Sequence, residues 1–437
     1  MGGEMRTYHT WGRVPDSTPA GVRLPAWADE LDRVSTAEQP LLAVGLQRSY
    51  GDSALNNGGT LVDMTALDRV HSFDHETGIL RADAGVVLGD LYGLIVPHGW
   101  FLPVVPGTQF VTLGGAVAND IHGKNHHRHG TFGCHVRAIG LVRSDGRGVT
   151  TQDESGELFR ATIGGLGLTG IIAWVEVQCV RIASARVSVT NTPIDRVGSA
   201  VDVLSEHDAS YEFTVAWIDT VHHRGRGVVH SGNWSTSSDS LTEPTPKPGL
   251  PIPFDAPNGL VGRWSVSMFN MLWYARHRWS ARHAEASFRP FFHPLDMLQN
   301  WNRLYGRRGM VQYQCVIPTA AGRQPIEDIL TMVREERMAS FLTVLKTFGG
   351  LHSGGLLSFP MPGLTLALDF PNTGAALYAL LDRCDELVRE SGGRIYIAKD
   401  CRVSGPTFRA MYPAWEQFRE HIDPKMSSSW WRRVAET

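Results

Sequence analysis

Between Pro106 and Gly133 the chain reads PGTQFVTLGGAVANDIHGKNHHRHGTFG. It holds six glycines, and five histidines stand in or just after it: His122, His126, His127, His129 and His135. Two chemistries suit that content. Imidazoles bind divalent metals, and the spacing His122-x3-His126-His127-x-His129 raises that question. A structural zinc site usually needs about four well-spaced Cys or His ligands. The five cysteines (Cys134, Cys179, Cys315, Cys384, Cys401) lie far apart and form no CxxC pair. The other chemistry is ligand binding by backbone. Dense glycines let a chain turn at positive φ and lie close to a large molecule. A buried loop must find partners for its N–H and C=O groups, and the apolar collar Val104, Val105, Phe110, Val111, Leu113, Val117 and Ile121 would bury this one. We therefore read the stretch as an ordered loop lying along a large polar cofactor, with no metal.

A second glycine turn supports this reading. The apolar run Pro40-LLAVG suits a buried strand, and it breaks directly into Leu46-QRSYGDSALNNGG. A strand running into such a turn often cradles phosphate with backbone N–H groups. The turn is neither GxGxxG nor a P-loop, since no GK[ST] follows. A third glycine cluster spans Gly164–Ile172. Far away, Val311-QYQCVIP alternates as a strand does, so Gln312 and Gln314 share a face.

These residues need a frame. At 437 residues, with 42% apolar and 19% charged residues, the chain is long enough for two domains or more. A net charge of −3 gives no basic surface for nucleic acid. Widely spaced cysteines suit free thiols in a reducing compartment. The N-terminus lacks an apolar signal region, and no run of about 18 apolar residues occurs. We expect a cytoplasmic protein, with attachment to a membrane surface left open. Up to about residue 180, short strands and helices alternate: strands at Thr60-LVDMTAL, Ile79-LRADAGV and Gly167-LTGIIAWVEVQCV, a helix over Val87–Val96, and a hairpin turning at Asp145-Gly146. A strand over Ala183–Thr192, stopped by Pro193, begins a different section. Ser231–Trp264, rich in Ser, Pro and Gly, reads as a loop or lid. Strands follow at Phe341-LTVLKTFG and Leu364-TLALDFP, then a helix over Thr373–Glu390, a strand Gly393-RIYIAKD and a helix Thr407–Arg419. The fold class is α+β.

Gln47-RSYGD, the Pro106–Gly133 stretch, Leu158-FRATIGGLGLTGII and Ile397-AKD resemble the vanillyl-alcohol oxidase-type flavoproteins, whose FAD domain has the p-cresol methylhydroxylase fold. Ala118-NDIHGKNHH, Phe292-HPLDM, Gln312-YQ…VIP, Leu357-SFP, Leu368-DFP, Ala398-KD and Met411-YP are most similar to one group within it, the polyprenyl-phosphoryl-ribose oxidases. The resemblance implies an FAD domain over 1–184, a substrate domain on an antiparallel sheet over 185–393, and an FAD-domain return over 394–437. It also implies oxidation of a sugar secondary hydroxyl, most simply C2′ of a polyprenyl-phosphoryl ribose, with an NAD(P)H-dependent short-chain reductase as partner. A soluble sugar, alditol or aldonolactone oxidase acting on a free sugar with O₂ is the alternative.

Residue by residue, the resemblance places FAD on Gly45, Gln47, Arg48, Ser49, Tyr50, Gly51, Asp52 and Ser53, then on Gly107, Thr112, Leu113, Gly114, Gly115, His122, Gly123, Lys124, Asn125, Ile172 and Tyr396. It places substrate on Lys124, Trp217, Gln312, Gln314, Lys346, Phe348, Asp369 and Lys399. Lys399 and His122 become the catalytic pair, Lys399 offering positive charge beside the flavin or a base once burial lowers its pKa. Many members of the superfamily tether FAD through a histidine in an RSxGH pattern. Here Asp52 occupies that place, so the expected cofactor is non-covalent FAD. Three further departures bear on the substrate. Ala367 stands where group members carry the cysteine that nitroaromatic inhibitors attack, Thr365 replaces an asparagine, and Phe292 replaces a tyrosine.

Overall fold

The computed structural model describes residues 8–35, 40–151, 156–237, 240–242, 249–279 and 282–435. Part of the expected 231–264 loop, residues 238–239 and 243–248, lies outside them. Strands β1 (Gly21–Arg23), β2 (Leu41–Val44) and β3 (Thr60–Asp63) form a parallel sheet in the order β1-β3-β2. Strands β4 (Val70–Phe73), β5 (Ile79–Asp83), β6 (Val136–Arg143), β7 (Gly146–Thr151) and β8 (Ile171–Gln178) form an antiparallel sheet in the order β4-β5-β8-β6-β7. The β6–β7 hairpin turns at Ser144-Asp145, within one residue of the expected turn.

The Pro106–Gly133 stretch is not all loop. Helix α1 (Leu113–Ala118) forms within it, and Thr112 caps it, its Oγ1 accepting from the Gly115 N–H at 3.2 Å. Paired glycines weaken local helix propensity, so periodicity alone hides this turn. Burial of Leu113, Ala116 and Val117 stabilises it. Most stability of so short a helix comes from such packing.

The second half is built on strands β9 (Arg186–Ile194), β10 (Phe213–Ile218), β11 (Gly227–Trp234), β12 (His283–Ser287), β13 (Met310–Pro318), β14 (Thr343–Phe348), β15 (Gly363–Pro371) and β16 (Arg394–Ile395). They make one antiparallel sheet in the order β12-β9-β11-β10-β14-β15-β13-β16. Helices α2 (Val197–Asp208), α3 (Arg263–Trp279), α4 (Gln324–Glu335) and α5 (Ala375–Glu390) belong to this half. Leu377, Leu380, Leu381 and Cys384 of α5 are fully buried at helical spacing. With Ile326, Ile329 and Leu330 of α4 and Leu204 of α2, they join one core against Val311, Tyr313, Cys315 and Ile317 of β13. Burying a side chain of that size contributes about 1.5–3 kcal/mol. Because side chains alternate along a strand, α2, α4 and α5 take one face of the sheet and leave the other, with Gln312 and Gln314, facing away.

Four expectations change here. Strand β9 passes through Pro193 instead of stopping at it. Pro193 pairs only with β11, because the pairing with β12 ends at Thr190, and an edge tolerates a missing N–H. The expected last strand is only Arg394–Ile395, and Ile397–Lys399 form a 3₁₀ turn. The expected final helix is two, Gly405–Met411 and Trp415–Arg419, broken at Tyr412-Pro413. Helix α3 was not foreseen, and Ser231–Trp234 belong to β11. The chain then returns to β2, where Leu41 N–H donates to Lys425 O at 2.7 Å, and closes with α6 (Ser429–Ala435).

Candidate active site

Three backbone segments meet at the first glycine turn. A Cβ on Gly45 would fall 2.2 Å from Thr112 Oγ1, so only glycine lets that turn rest against the cap of α1. A Cβ on Gly51 would fall 1.6 Å from Asp400 O. The closing turn can therefore lie directly on the first loop. Tyr50 N–H donates to Ala398 O at 3.0 Å and Asp52 N–H to Asp400 O at 3.3 Å. These bonds set Lys399 Nζ 3.9 Å above the Tyr50 ring.

A cavity of about 1150 Å³ opens between these loops and the free face of the large sheet. Its near wall includes Gly45, Gln47, Arg48, Ser49, Tyr50, Ser53, Gly107, Thr112, Gly114, Gly115, His122, Gly123, Lys124, Ile172 and Tyr396. Its far wall includes Trp217, Gln312, Gln314, Lys346 and Lys399. Six expected site residues do not line it. Leu113 is buried in the core under α1. Asn125 donates to Pro103 O at 2.8 Å. Gly51 meets the closing turn. Asp52 turns away to Arg433, at 2.9 and 2.8 Å, and Arg433 also holds Asp400 at 2.8 Å. Phe348 lies behind His122, ring centroids 4.9 Å apart. Asp369 is buried at the end of the sheet face, accepting from Gln312 Nε2. The histidines of the opening stretch diverge: His126 rests on Phe348 with centroids 4.2 Å apart, His127 Nε2 meets Tyr211 O at 3.0 Å, and His135 Nε2 meets His129 O at 2.9 Å.

The near wall fits FAD. Ser53 Oγ and Asn119 Oδ1 are buried on the cavity without a hydrogen-bond partner. Among the described residues, the amides of Leu46, Gln47 and Ser49 find no protein acceptor, and neither does Lys399 Nζ. Buried polar groups in folded proteins are nearly always satisfied, so Ser53 Oγ and Asn119 Oδ1 mark a polar ligand on this wall, with the half-buried amides beside them. Loop Gly45–Ser53 and the Thr112–Gly115 cap would hold a pyrophosphate, while Ile172 and Tyr396 offer flat walls for a ring.

On the far wall one hydrogen-bonded array runs between strands. Lys346 Nζ is 3.1 Å from His122 Nδ1, and His122 Nε2 is 3.0 Å from Gln314 Nε2. Gln314 also donates to Thr365 Oγ1 at 3.2 Å, and Thr365 donates to Cys315 O at 2.8 Å. Strand register explains the layout, since Gln312 faces Asp369, Gln314 faces Ala367, and Lys346 faces Thr365. Burial drives the electrostatics. It pushes Lys346 and Lys124 down to about 7, and nearby lysine charge adds to the effect at Lys346. Burial, then Lys346, hold the His122 imidazole neutral. Burial lowers Lys399 and raises Asp369, and their mutual attraction opposes both shifts.

Sequence reasoning missed several parts. Asp120, at φ 40°, is fully buried and accepts from Gly133 N–H at 2.8 Å and Ser353 Oγ at 2.6 Å, as well as from Ser358 Oγ. It pins both ends of the histidine loop; an acid among glycines in an apolar collar was the signal. Thr365, noted only as a departure, proves to be a partner of Gln314. Phe269 and Trp273 of α3 line the cavity with no periodic signal to announce them.

Fold and site together define an FAD-dependent oxidoreductase with a p-cresol methylhydroxylase-type flavin domain, and residues 19–152 match the FAD binding domain family. The chain is 39% identical over 406 residues to decaprenylphosphoryl-β-D-ribose oxidase of Mycolicibacterium smegmatis, covering 88% of this chain and 86% of the relative. It belongs to that family. It is also 34% identical over 359 residues to an uncharacterised protein of Streptomyces coelicolor, covering 78% and 96% of the two chains. Mouse L-gulonolactone oxidase is 28% identical over 178 residues, 40% of each chain.

Proposed function

We propose that the chain oxidises a secondary hydroxyl of a lipid-linked sugar to the ketone, with C2′ of a polyprenyl-phosphoryl ribose as substrate. A single observation carries this reading. One cavity joins the cofactor loops to a polar face bearing Lys124, Lys346 and Lys399, then continues to the apolar side chains Leu250, Phe269, Trp273 and Met297. A free sugar has no use for the apolar part. A phosphoryl group suits the lysines, and a prenyl chain suits the apolar end.

FAD, when bound, supplies the hydride acceptor. The protein's own task is to hold the sugar and remove the hydroxyl proton. Gln312 and Gln314 face the sugar side by side. Gln314 is held by Thr365 and His122, so its amide orientation is set before substrate arrives. Burial favours the neutral amine of Lys399, so Nζ can take the hydroxyl proton as the carbon gives up its hydride. Carrying that proton, Nζ would offer positive charge beside FAD when it is bound. FAD is held non-covalently, since the carboxylate of Asp52, in the tethering position, is engaged by Arg433. An NAD(P)H-dependent reductase would consume the ketone to complete an epimerisation. No described helix is long and apolar enough to cross a membrane, and we place the enzyme at the cytoplasmic side of one.

The test is anaerobic. Polyprenyl-phosphoryl ribose should bleach the flavin absorbance, and free ribose, alditols and aldonolactones should not. Bleaching by free sugars alone, with peroxide formed on admitting air, would replace this reading with a soluble sugar oxidase.

A further inference from the structure

Helix α3 has two apolar faces. The inner face is accounted for. Val266 and Asn270 are buried, Asn270 Nδ2 donates to Asp219 Oδ1 at 2.8 Å, and Phe269 meets Phe341 with ring centroids 4.7 Å apart. Phe269, Trp273 and His277 line the cavity. At about 100° per residue, Trp264, Met268, Met271, Leu272 and Trp279 fall within an arc of roughly 100° on the opposite side. They stand in solvent: Trp264 is 77% exposed, Leu272 60% and Trp279 85%. A helix already satisfied on its inner face gains nothing in water from a second apolar face, and such contiguous patches mark interaction sites.

The chemistry of the rim names the occupant. Arg278 flanks the apolar arc on one side and Arg276 on the other, and the helix contains no Asp or Glu although the whole chain carries −3. Tryptophans stand near both ends, about 22 Å apart along the axis, and indoles favour the boundary between hydrocarbon and water. Leu250 and Met297, both largely exposed, also line the cavity. A second copy of the chain fits less well, because its own α3 would bring arginines against arginines with no carboxylate to pair them.

We propose that the outer face of α3 docks on an anionic phospholipid bilayer and so sets the cavity mouth at the membrane surface. The arc would bury its side chains among the acyl chains while the arginines meet lipid phosphates. This rests on the lipid-linked substrate of the proposed function: the prenyl chain passes from bilayer to cavity behind α3 without crossing water.

The test is flotation of the holoenzyme with vesicles of phosphatidylcholine containing phosphatidylglycerol, and with phosphatidylcholine alone. The parent enzyme should float with the anionic vesicles, and about tenfold less with the neutral ones. The double substitutions Met271→Gln/Leu272→Gln and Arg276→Glu/Arg278→Glu should each reduce flotation about tenfold or more. Both variants should keep the flavin spectrum and its bleaching by a short-chain, water-soluble polyprenyl-phosphoryl ribose, which separates loss of docking from loss of fold. No flotation of the parent, or unchanged flotation of both variants, would overturn the proposal. So would sedimentation showing a parent dimer that the apolar substitutions convert to monomer without changing flotation. Flotation without bleaching by the short-chain substrate would sink the substrate reading and leave the docking face standing.

Discussion

Replacing Lys346 with Met should make the protein more stable and less active. Lys346 is held between His122 Nδ1 at 3.1 Å and Gly123 O at 3.3 Å, and burial pushes its ammonium from 10.5 down to about 7. Each pKa unit corresponds to about 1.4 kcal/mol, so the charged amine costs the fold up to about 5 kcal/mol. Losing two hydrogen bonds gives back about 1 kcal/mol each. Methionine fills a similar volume, leaving a net gain of about 2–3 kcal/mol near pH 7. The sign with pH follows from the lowered pKa. The unfolded chain holds the lysine proton up to 10.5, while the folded chain releases it near 7. The cost is therefore full below pH 7, shrinks as pH rises, and vanishes above 10.5. Urea unfolding of parent and variant with saturating FAD, at pH about 6, 8 and 10, measures it. The variant should lead most at the lowest pH and fall about 1 kcal/mol behind the parent at the highest, where the lost hydrogen bonds outweigh the remaining charge cost, while flavin bleaching by substrate is lost. A variant no more stable than the parent at pH about 6, or a gap that does not narrow with pH, would refute the electrostatic account of the site.

Three further predictions follow from contacts around the flavin loops. Gly45→Ala puts a Cβ 2.2 Å from Thr112 Oγ1; overpacking of this kind costs about 1–3 kcal/mol, and flavin fluorescence titration should show FAD affinity down about tenfold or more. Asp52→His should not create a covalent flavin, because residue 52 points to Arg433; acid precipitation should leave all flavin in the supernatant. The same variant should lose about 3 kcal/mol in urea for the broken buried pair. Lys399→Met should retain FAD yet slow flavin reduction about 100-fold or more in stopped flow, with the pH dependence of that step flattened. An unchanged profile would remove Lys399 from proton transfer.

Much of the site was legible because it rests on local chemistry. Glycine at 45, 51 and 107 and the Gln312–Gln314 alternation are properties of short stretches, and the motifs that carry the family resemblance are equally local. The α5 stripe of Leu377, Leu380, Leu381 and Cys384 could be read from its spacing alone. What failed was whatever depends on distant partners. The short helix at Leu113 exists because the sheet buries it, not because its residues favour helix. Pro193 is harmless because its strand has become an edge. The role of Asp52 depends on Arg433, on the last helix of the chain.

The histidine-rich loop shows the division most clearly. By itself the sequence determined that this loop is glycine-built and suited to a large polar cofactor, while the apolar collar expected to bury it leaves Phe110 38% exposed. The family resemblance implies which position would carry a covalent tether, and this chain puts a carboxylate there. Only the tertiary structure decided what each side chain does. His122 faces Lys346 and Gln314 from two different strands, while His126 and His127 turn away from the cavity to Phe348 and Tyr211, both still buried. It alone revealed that Asp120 anchors the loop and that the unforeseen α3 covers the cavity with one apolar face while exposing another. Spacing along a chain limits which neighbours a residue can have nearby. Partners brought in from hundreds of residues away are set by packing.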